Sequence, residues 1–408
     1  ALLPVCLGLV FLVLRQMGLS WPKALLVAAM MGVSFPFVFL VITLYSEMLF
    51  LCLLLAAIWS SERAAERDSG WFALLGGLLT GLAYLTRNAA LPMLLAAPVF
   101  FFLRKRLRLS LYFFALAVPA AVGWHVWGVV HAQATPYLDE YVRVIGAKGL
   151  GKHLLEQSST LSSAVAETFF SGILEFLHGI PLHHLVLAAA IAGSVRIGRR
   201  RQWPLYLIFT ALYLIMITFW WFQGIGRLII PVWPMVLAGI VEEGSHFEWL
   251  CMESIKKPRF KMAPRWALLA LALYIVFWND SVTWQKTAAI YRTEREQRAR
   301  DRQAYAWIAA HAGPDTMVLA WKEGLSYLST GVASSHDLFV AAIPQAEEVV
   351  GMRASRVAPE GFGSELLLLL GSDLGGSEGM ESLRARAEGL PGARLEFSAP
   401  GALVYRVR

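Results

Sequence analysis

The sequence predicts a polytopic α-helical membrane domain followed by a small α/β domain. Three observations lead to this fold class. The chain is 57% hydrophobic and only 16% charged, whereas soluble domains carry about 25% charged residues. The long apolar runs are confined to residues 1–278. Beyond them, short apolar and polar segments alternate as in an ordinary soluble domain. We therefore expect a membrane domain over residues 1–279 and a second domain over residues 280–408.

Ten apolar runs are candidate membrane spans. Several are shorter than the ~20 residues that cross a bilayer without tilt. Tryptophan side chains beside the short runs suit the membrane interface and extend their reach. The predicted spans cover residues 1–14, 24–43, 46–60, 71–86, 89–103, 110–130, 179–195, 204–222, 228–241 and 266–279.

Lysine and arginine concentrate in alternate loops, and the positive-inside rule places those loops in the cytoplasm. The chain has a net charge of +7, but the positive residues of the membrane domain lie in short loops between apolar runs. Because this is the pattern of cytoplasmic membrane loops, we expect no nucleic-acid partner. The loop 131–178 and the domain 280–408 then lie outside the cytoplasm, which predicts a multi-pass protein of a bacterial inner membrane. The basic loops contain Arg15, Lys23, Arg63, Arg67, Arg104, Lys105, Arg106, Arg108, Arg196, Arg199, Arg200, Arg201, Lys256, Lys257, Arg259, Lys261 and Arg265.

Two regions outside the spans have secondary-structure patterns of their own. In the loop 131–178, the segment LLEQSSTLSSAVAETFFSGILEFL has helical spacing of apolar residues, and we expect an amphipathic helix on the outer leaflet. In the C-terminal domain, strand-sized runs such as TMVLAW, ELLLLLG and ALVYRV alternate with helix-sized runs. This alternation predicts an α/β domain with a largely parallel sheet.

Glu47 is the one acidic residue before position 131 that lies outside the basic loop containing Glu62, Glu66 and Asp68. Ionisable residues within membrane spans are costly and usually functional. A carboxylate here can bind a sugar hydroxyl, hold a metal or pair with an arginine. The alternative is a structural role at the start of a helix, where Ser46 and Glu47 suit the first turn.

Arg87 and Arg227 both interrupt apolar runs at the predicted outer ends of spans. Each stands beside residues that disturb a helix, such as Asn88 after Arg87 and Gly226 before Arg227. Irregular backbone at this depth is tolerated where it lines a cavity, and a guanidinium there is suited to bidentate binding of phosphate. The alternative is that each arginine extends to the interface as an anchor.

Cysteine and histidine give no metal pattern. Cys6, Cys52 and Cys251 are scattered, which predicts neither disulfides nor a metal site. His125 and the pair 183–184 have no acid or cysteine nearby in the sequence to complete a ligand set. We therefore expect these histidines to be packed or interfacial.

Three segments in this order resemble the GT-C superfamily of membrane glycosyltransferases: TLYSEMLFLCLLLAAIW, GGLLTGLAYLTRNAALPMLL and GRLIIPVWPMVLAG. The similarity is to the dolichyl-phosphate-mannose mannosyltransferase-like branch, family 39 and relatives. The Tyr-Ser-Glu and Thr-Arg-Asn stretches also resemble the second GPI mannosyltransferase. The segment IAAHAGPDTMVLAWKEGLSYLSTG is similar to the periplasmic domain that often follows such membrane cores.

The resemblance implies transfer of a sugar from a polyprenyl-phosphate donor to a glycolipid, glycan or protein acceptor at the outer face, with inversion of the anomeric centre. In the family, the general base is an aspartate in the first outward loop. Residues 1–14 match a later helix, so we expect this aspartate upstream of Ala1, and Glu47 is the catalytic candidate among the residues present.

The resemblance also assigns roles to individual positions. Glu47 would line the acceptor or metal side of the cavity. Arg87 and Arg227 would face the carrier phosphate, with Tyr45 and Asn88 beside them in the matching motifs. A divalent cation, Mg²⁺ or Mn²⁺, is a cofactor that this chemistry allows, because charge develops on the departing phosphate.

Two alternatives remain open at this stage. The first is a transporter or flippase of lipid-linked sugars, although the sequence has no matching pair of interrupted helices in two halves. The second is a non-catalytic membrane protein whose outer domain binds a partner. An aspartate following one further upstream span would favour the enzyme.

Overall fold

The computed structural model describes most of the chain, and the statements below concern the described residues. The chain divides into two compact units, Ala1–Thr287 and Ala288–Arg408. This division lies within a helix, slightly beyond the boundary expected after residue 279. The described residues are 2–42, 46–131, 149–169, 182–219, 228–255, 262–313, 316–320, 323–332, 334–335, 366–370, 376–390, 392–399 and 402–407.

The first unit is built of helices. A single 3₁₀ turn, Asn88–Ala90, joins the fifth and sixth of them. The helices are α1 (Leu2–Gln16), α2 (Trp21–Gly32), α3 (Phe35–Ile42), α4 (Ser46–Arg67), α5 (Gly70–Thr86), α6 (Leu91–Leu103), α7 (Arg108–His131), α8 (Leu150–Phe169), α9 (Leu182–Arg201), α10 (Leu205–Thr218), α11 (Trp233–Ser254) and α12 (Ala263–His311), which continues into the second unit.

Several helices are apolar and long enough to be membrane spans, which confirms the predicted fold class. Three helices of the described chain are both long enough and apolar enough to cross a membrane: Ser46–Arg67, Arg108–Gly128 and Ala263–Thr293. The shorter apolar helices are Leu2–Gln16, Gly70–Thr86, Asn88–Leu103 and Leu205–Thr218.

Several predicted span boundaries are wrong, among them the end of the span expected over 266–279, because its helix continues to His311. The expected span 24–43 is two helices, because α2 ends at Gly32 and the Ser34 hydroxyl donates to the carbonyl of Met31 (2.7 Å). The helix expected to end near residue 60 continues to Arg67. The helix expected from residue 228 begins at Trp233, since Pro231 lies in the turn before it.

Close helix packing forms the core of the first unit. α4 packs against α1 and α5, and α5 packs against α7. Glycines allow the closest approach: a Cβ at Gly77 would overlap the backbone of Phe113, and a Cβ at Gly81 would lie 2.9 Å from Ala120 Cβ. Small residues are the usual means of close helix contact in a membrane, where lipid is as apolar as the side chains.

The helix expected in the loop 131–178 is present as α8. It packs against α9 and α10, and His153 and Gln157 on it are buried. Ala164 and Val165 are buried as well, so apolar residues of the amphipathic pattern contact the protein.

The second unit contains a five-stranded sheet with the order β2-β1-β3-β5-β4. β1 pairs in parallel with β2 and β3, whereas β5 pairs antiparallel with β3 and β4. The described sheet is thus mixed, not largely parallel, because β4 and β5 form a hairpin. The elements are β1 (Met317–Ala320), α13 (Glu323–Thr330), β2 (Ser334–Ser335), β3 (Leu366–Leu370), α14 (Gly376–Glu388), β4 (Arg394–Ala399) and β5 (Ala402–Val407).

Candidate functional site

The described loops of the first unit gather into two groups at opposite ends of its helices. We call one the basic end; there Arg104 meets the turn after α9, and Arg106 and Arg108 pair with Asp68. The other, the Glu47 end, contains the start of α4 and the end of α5. Three loops that the charge pattern assigned to one side of the membrane therefore lie together: those at Asp68, at 104–108 and after α9.

Glu47 and Arg87 form an ion pair at the Glu47 end. Arg87 Nη1 lies 2.5 Å from Glu47 Oε1 and 3.4 Å from the Ser46 hydroxyl. The side chain of Glu47 is only 4% exposed, and that of Arg87 is 25% exposed. Among the described residues, neither carboxylate oxygen of Glu47 has a hydrogen-bond partner of good geometry. The carboxylate is thus charge-neutralised but retains capacity to accept hydrogen bonds.

The local sequence explains this arrangement. Glu47 lies in the first turn of α4, where a negative charge is favoured by the helix dipole. α5 ends at Thr86, and Arg87 has an extended backbone (φ −155°, ψ 132°) before the 3₁₀ turn. This break in the helix turns the Arg87 side chain toward α4. Glu47 therefore both stabilises the first turn of α4 and pairs with an arginine.

Tyr213 of α10 lies near the same pair. It is close enough for the charges of Arg87 and Glu47 to affect it, and its ring hydroxyl donates to the carbonyl of Leu228 (2.7 Å). Tyr206, in the first turn of α10, donates to the carbonyl of Pro231 (2.7 Å). These two hydrogen bonds hold the segment 228–231 antiparallel to α10. The chain just after Arg227 is thereby fixed close to the Glu47–Arg87 pair.

The other predicted site residues are either exposed or outside the described residues. Asn88 follows Arg87 directly and is exposed. Tyr45 and Arg227 lie outside the described residues, so their roles stay predictions. His125 and His184 are exposed, and the side chain of His183 is also outside the described set.

The predicted divalent cation stays a prediction. Across the described ranges, no group of three or more His, Cys, Asp or Glu side chains is arranged to hold a metal. Glu47 is already neutralised by Arg87. The described residues therefore give no ligand set for Mg²⁺ or Mn²⁺.

At the basic end, the structure shows a buried acid, Glu62, that the sequence analysis placed in a basic loop between two spans. Glu62 is 6% exposed and its Oε1 accepts the backbone N–H of Leu205 (2.6 Å). The carboxylate thus supplies a partner for the first turn of α10, where N–H groups have none within the helix. Helical spacing from Ile58 would have been the signal that α4 continues through Glu62.

Comparison with known proteins gives similarity to solved structures but not to any sequence family. No family model matches the chain, and no curated protein matches it. Among solved structures, the chain is similar to ArnT from Cupriavidus metallidurans bound to undecaprenyl phosphate, with 12% identity over 99% of this chain and 82% of that chain, and a TM-score of 0.49. Similarity at this level carries no argument about function, which must rest on the residues themselves.

Proposed function

We propose that the protein transfers a sugar from a polyprenyl-phosphate-linked donor to an acceptor at the Glu47 end of its membrane domain. The observation that carries this proposal is the buried Glu47–Arg87 pair, whose carboxylate retains unused acceptor capacity. The donor class comes from the motif resemblance, in which Glu47 and Arg87 occupy the acceptor and phosphate sides of the cavity.

The energetic cost of this pair supports a functional role. Removing two charges from water is expensive, and an ion pair in a protein interior is often no more stable than apolar residues of similar size. A buried carboxylate at a helix end is therefore weak evidence for a stabilising role and stronger evidence for a functional one.

The proposed reaction is a single displacement. The acceptor hydroxyl oxygen attacks the anomeric carbon, the bond from that carbon to the carrier phosphate breaks, and the anomeric centre inverts. The hydroxyl proton passes to a general base, which is a carboxylate in the family that the motifs resemble. Glu47 accepts a hydrogen bond from a sugar hydroxyl and orients it. Arg87 and Arg227 stabilise charge on the departing phosphate.

The test is a transfer assay with the full-length gene product in detergent. A panel of synthetic polyprenyl-phosphate monosaccharides is offered with total lipid and glycan extract as acceptor, and release of polyprenyl phosphate is measured. Because hydrogen bonds to charged groups contribute about 1.5–3 kcal/mol, Glu47→Gln should slow release roughly 10- to 150-fold. Glu253→Gln, at an exposed glutamate of α11, is the matched control and should change nothing.

The same assay examines Arg227. Arg227→Ala should weaken donor use by a similar factor, roughly 10- to 150-fold. Arg227→Lys should recover only part, because an ammonium cannot reproduce the planar guanidinium fork. An unchanged apparent donor affinity in Arg227→Ala would make this residue an interface anchor. If no donor is consumed but fluorescent lipid-linked sugars cross proteoliposome membranes, the protein is a transporter and the proposal is wrong.

A further inference from the structure

A cavity of about 350 Å³ lies at the basic end, away from the Glu47–Arg87 pair. The ends of α1, α4 and α6 and the turn between α9 and α10 form its walls. Its size is within the range of small-ligand sites. The lining residues are Gln16, Met17, Glu62, Ala65, Glu66, Phe100, Arg104, Arg200, Arg201, Gln202 and Pro204.

Two of the three arginines in this cavity, Arg104 and Arg201, form no salt bridge among the described residues, and Arg104 interacts electrostatically with the cavity residue Glu62. Arg104 donates to the carbonyl of Arg201 (2.9 Å) and to Gln202 Oε1 (3.3 Å), and its Nε is buried without a partner. The Arg201 guanidinium lies against Gly18, in the turn after α1. Arg200, in contrast, pairs with Glu242 (2.9 Å). Arg104 and Arg201 are therefore available to an anion.

The acidic residues of the cavity are already engaged. Glu66 pairs with Arg63 (3.0 Å), and Glu62 accepts the N–H of Leu205. These contacts direct the acidic groups to partners in the protein. An anion would therefore bind on the side formed by Arg104 and Arg201.

Gln16 supplies a second indication of a ligand. Both the amide nitrogen and the amide oxygen of its side chain are buried, and neither has a hydrogen-bond partner within the described structure. Leaving such groups unpaired in a protein interior is costly. A ligand with phosphate oxygens would accept from the amide N–H and relieve half of this cost.

The cavity also has an apolar wall, formed by Met17, Ala65, Phe100 and Pro204. An acyl-glycerol group can lie beside these residues while its phosphate reaches the arginines. Free phosphate has no part that would use this wall. Basic pockets between membrane helices on the cytoplasmic side are suited to anionic lipid head groups.

We propose that this cavity binds the phosphate head group of an anionic phospholipid from the leaflet at the basic end. Arg104 and Arg201 bind the phosphate oxygens, Gln16 donates one further hydrogen bond, and the apolar wall contacts the glycerol and the first acyl carbons. The bound lipid fastens α1, α4, α6 and the α9–α10 turn to one another. This inference does not depend on sugar transfer.

The experiment measures lipid binding by the purified protein in detergent. Phosphatidylglycerol, phosphatidylcholine and inorganic phosphate are each added, and bound lipid and thermal unfolding are followed by native mass spectrometry and fluorescence. We expect phosphatidylglycerol to be retained and to raise the unfolding temperature, and the other two to do neither. Arg104→Gln and Arg201→Gln should each weaken the binding of phosphatidylglycerol roughly tenfold or more.

Arg199→Gln is the matched control, because Arg199 is an exposed arginine on the same helix end but outside the cavity. It should bind phosphatidylglycerol as the wild type does. Gln16→Leu removes the buried unpaired amide, so it should fold at least as stably without lipid and gain less stability from phosphatidylglycerol. Equal loss in Arg199→Gln and Arg201→Gln would reduce the effect to general surface charge and overturn the proposal. Equal stabilisation by inorganic phosphate would overturn the assignment to a lipid.

Discussion

At the scale of single residues, the Glu47–Arg87 pair joins two helices across a long sequence separation. Glu47 is nearly inaccessible to solvent, and its partner comes from the break after α5. Removal of Arg87 should therefore destabilise the protein strongly, because an unpaired buried charge is far more costly than an exposed one.

Substitutions at the pair should therefore be non-additive. Arg87→Ala should lower stability by about 3–5 kcal/mol, because it leaves Glu47 buried and unpaired. Adding Glu47→Gln should restore much of that loss, since the remaining group is neutral. Thermal and denaturant unfolding in detergent measure both effects. Arg63→Ala serves as the control, because it breaks an exposed pair with Glu66 worth about 0.2–1 kcal/mol. A loss in Arg87→Ala no larger than in Arg63→Ala would show that the buried pair is unimportant for stability.

At the scale of elements, α9 and α11 make direct backbone contact. A Cβ at Gly193 would overlap the carbonyl oxygen of Gly239, so the two helices can approach this closely only with glycine at both positions. Beyond this crossing, Arg196 Nε donates to Glu243 Oε2 (2.7 Å). This hydrogen bond lowers the pKa of Glu243 below its ordinary value, so the pair stays ionised at neutral pH.

The same substitution should have opposite effects in two helices. Gly193→Ala forces α9 and α11 apart and should destabilise by about 1–3 kcal/mol, the usual range for overpacking. Gly123→Ala in α7 meets no atom within 4 Å and should stabilise by about 0.5–1 kcal/mol, because alanine loses less backbone entropy. Unfolding of the two variants in the same detergent is the measurement. A neutral Gly193→Ala would mean that α9 and α11 separate without cost.

At the scale of the whole molecule, charge is segregated between the two ends of the membrane unit. The basic end collects Lys23, Arg104, Arg106, Arg108 and Arg200 through contacts with Glu242, Asp68 and the α9–α10 turn. The positive-inside rule then predicts that this end is cytoplasmic and that the Glu47 end is not.

Reporter fusions test this orientation. An alkaline phosphatase fusion after Arg408 should be active, because the domain 280–408 is expected outside the cytoplasm. A fusion within the loop at Lys105 should be inactive, and the matching fluorescent-protein fusions should show the reverse pattern. Activity of the phosphatase at Lys105 and not after Arg408 would reverse the orientation and place Glu47 in the cytoplasm.

Local sequence features determined much of the architecture. Charge depletion and apolar runs predicted the helical membrane domain, and the alternation of short runs predicted the α/β domain, because both depend on composition and period along the chain. The same reasoning singled out Glu47 and Arg87, since a lone charge in an apolar run is visible without a structure. It missed the break between α2 and α3. There the Ser34 hydroxyl donates to the Met31 carbonyl, and this hydrogen bond competes with the backbone hydrogen bonds of a continuous helix.

Tertiary structure alone decided which distant residues meet. The sequence could not show that Arg87 turns to Glu47, that Glu62 is buried against Leu205, or that β5 lies between β3 and β4. It also could not show the cavity between Gln16, Arg104 and Arg201, because those residues come from three separate helix ends. The physical reason is that burial, pairing and cavity shape depend on helix packing, which brings together residues far apart in the chain, whereas hydropathy and charge patterns report only on neighbours.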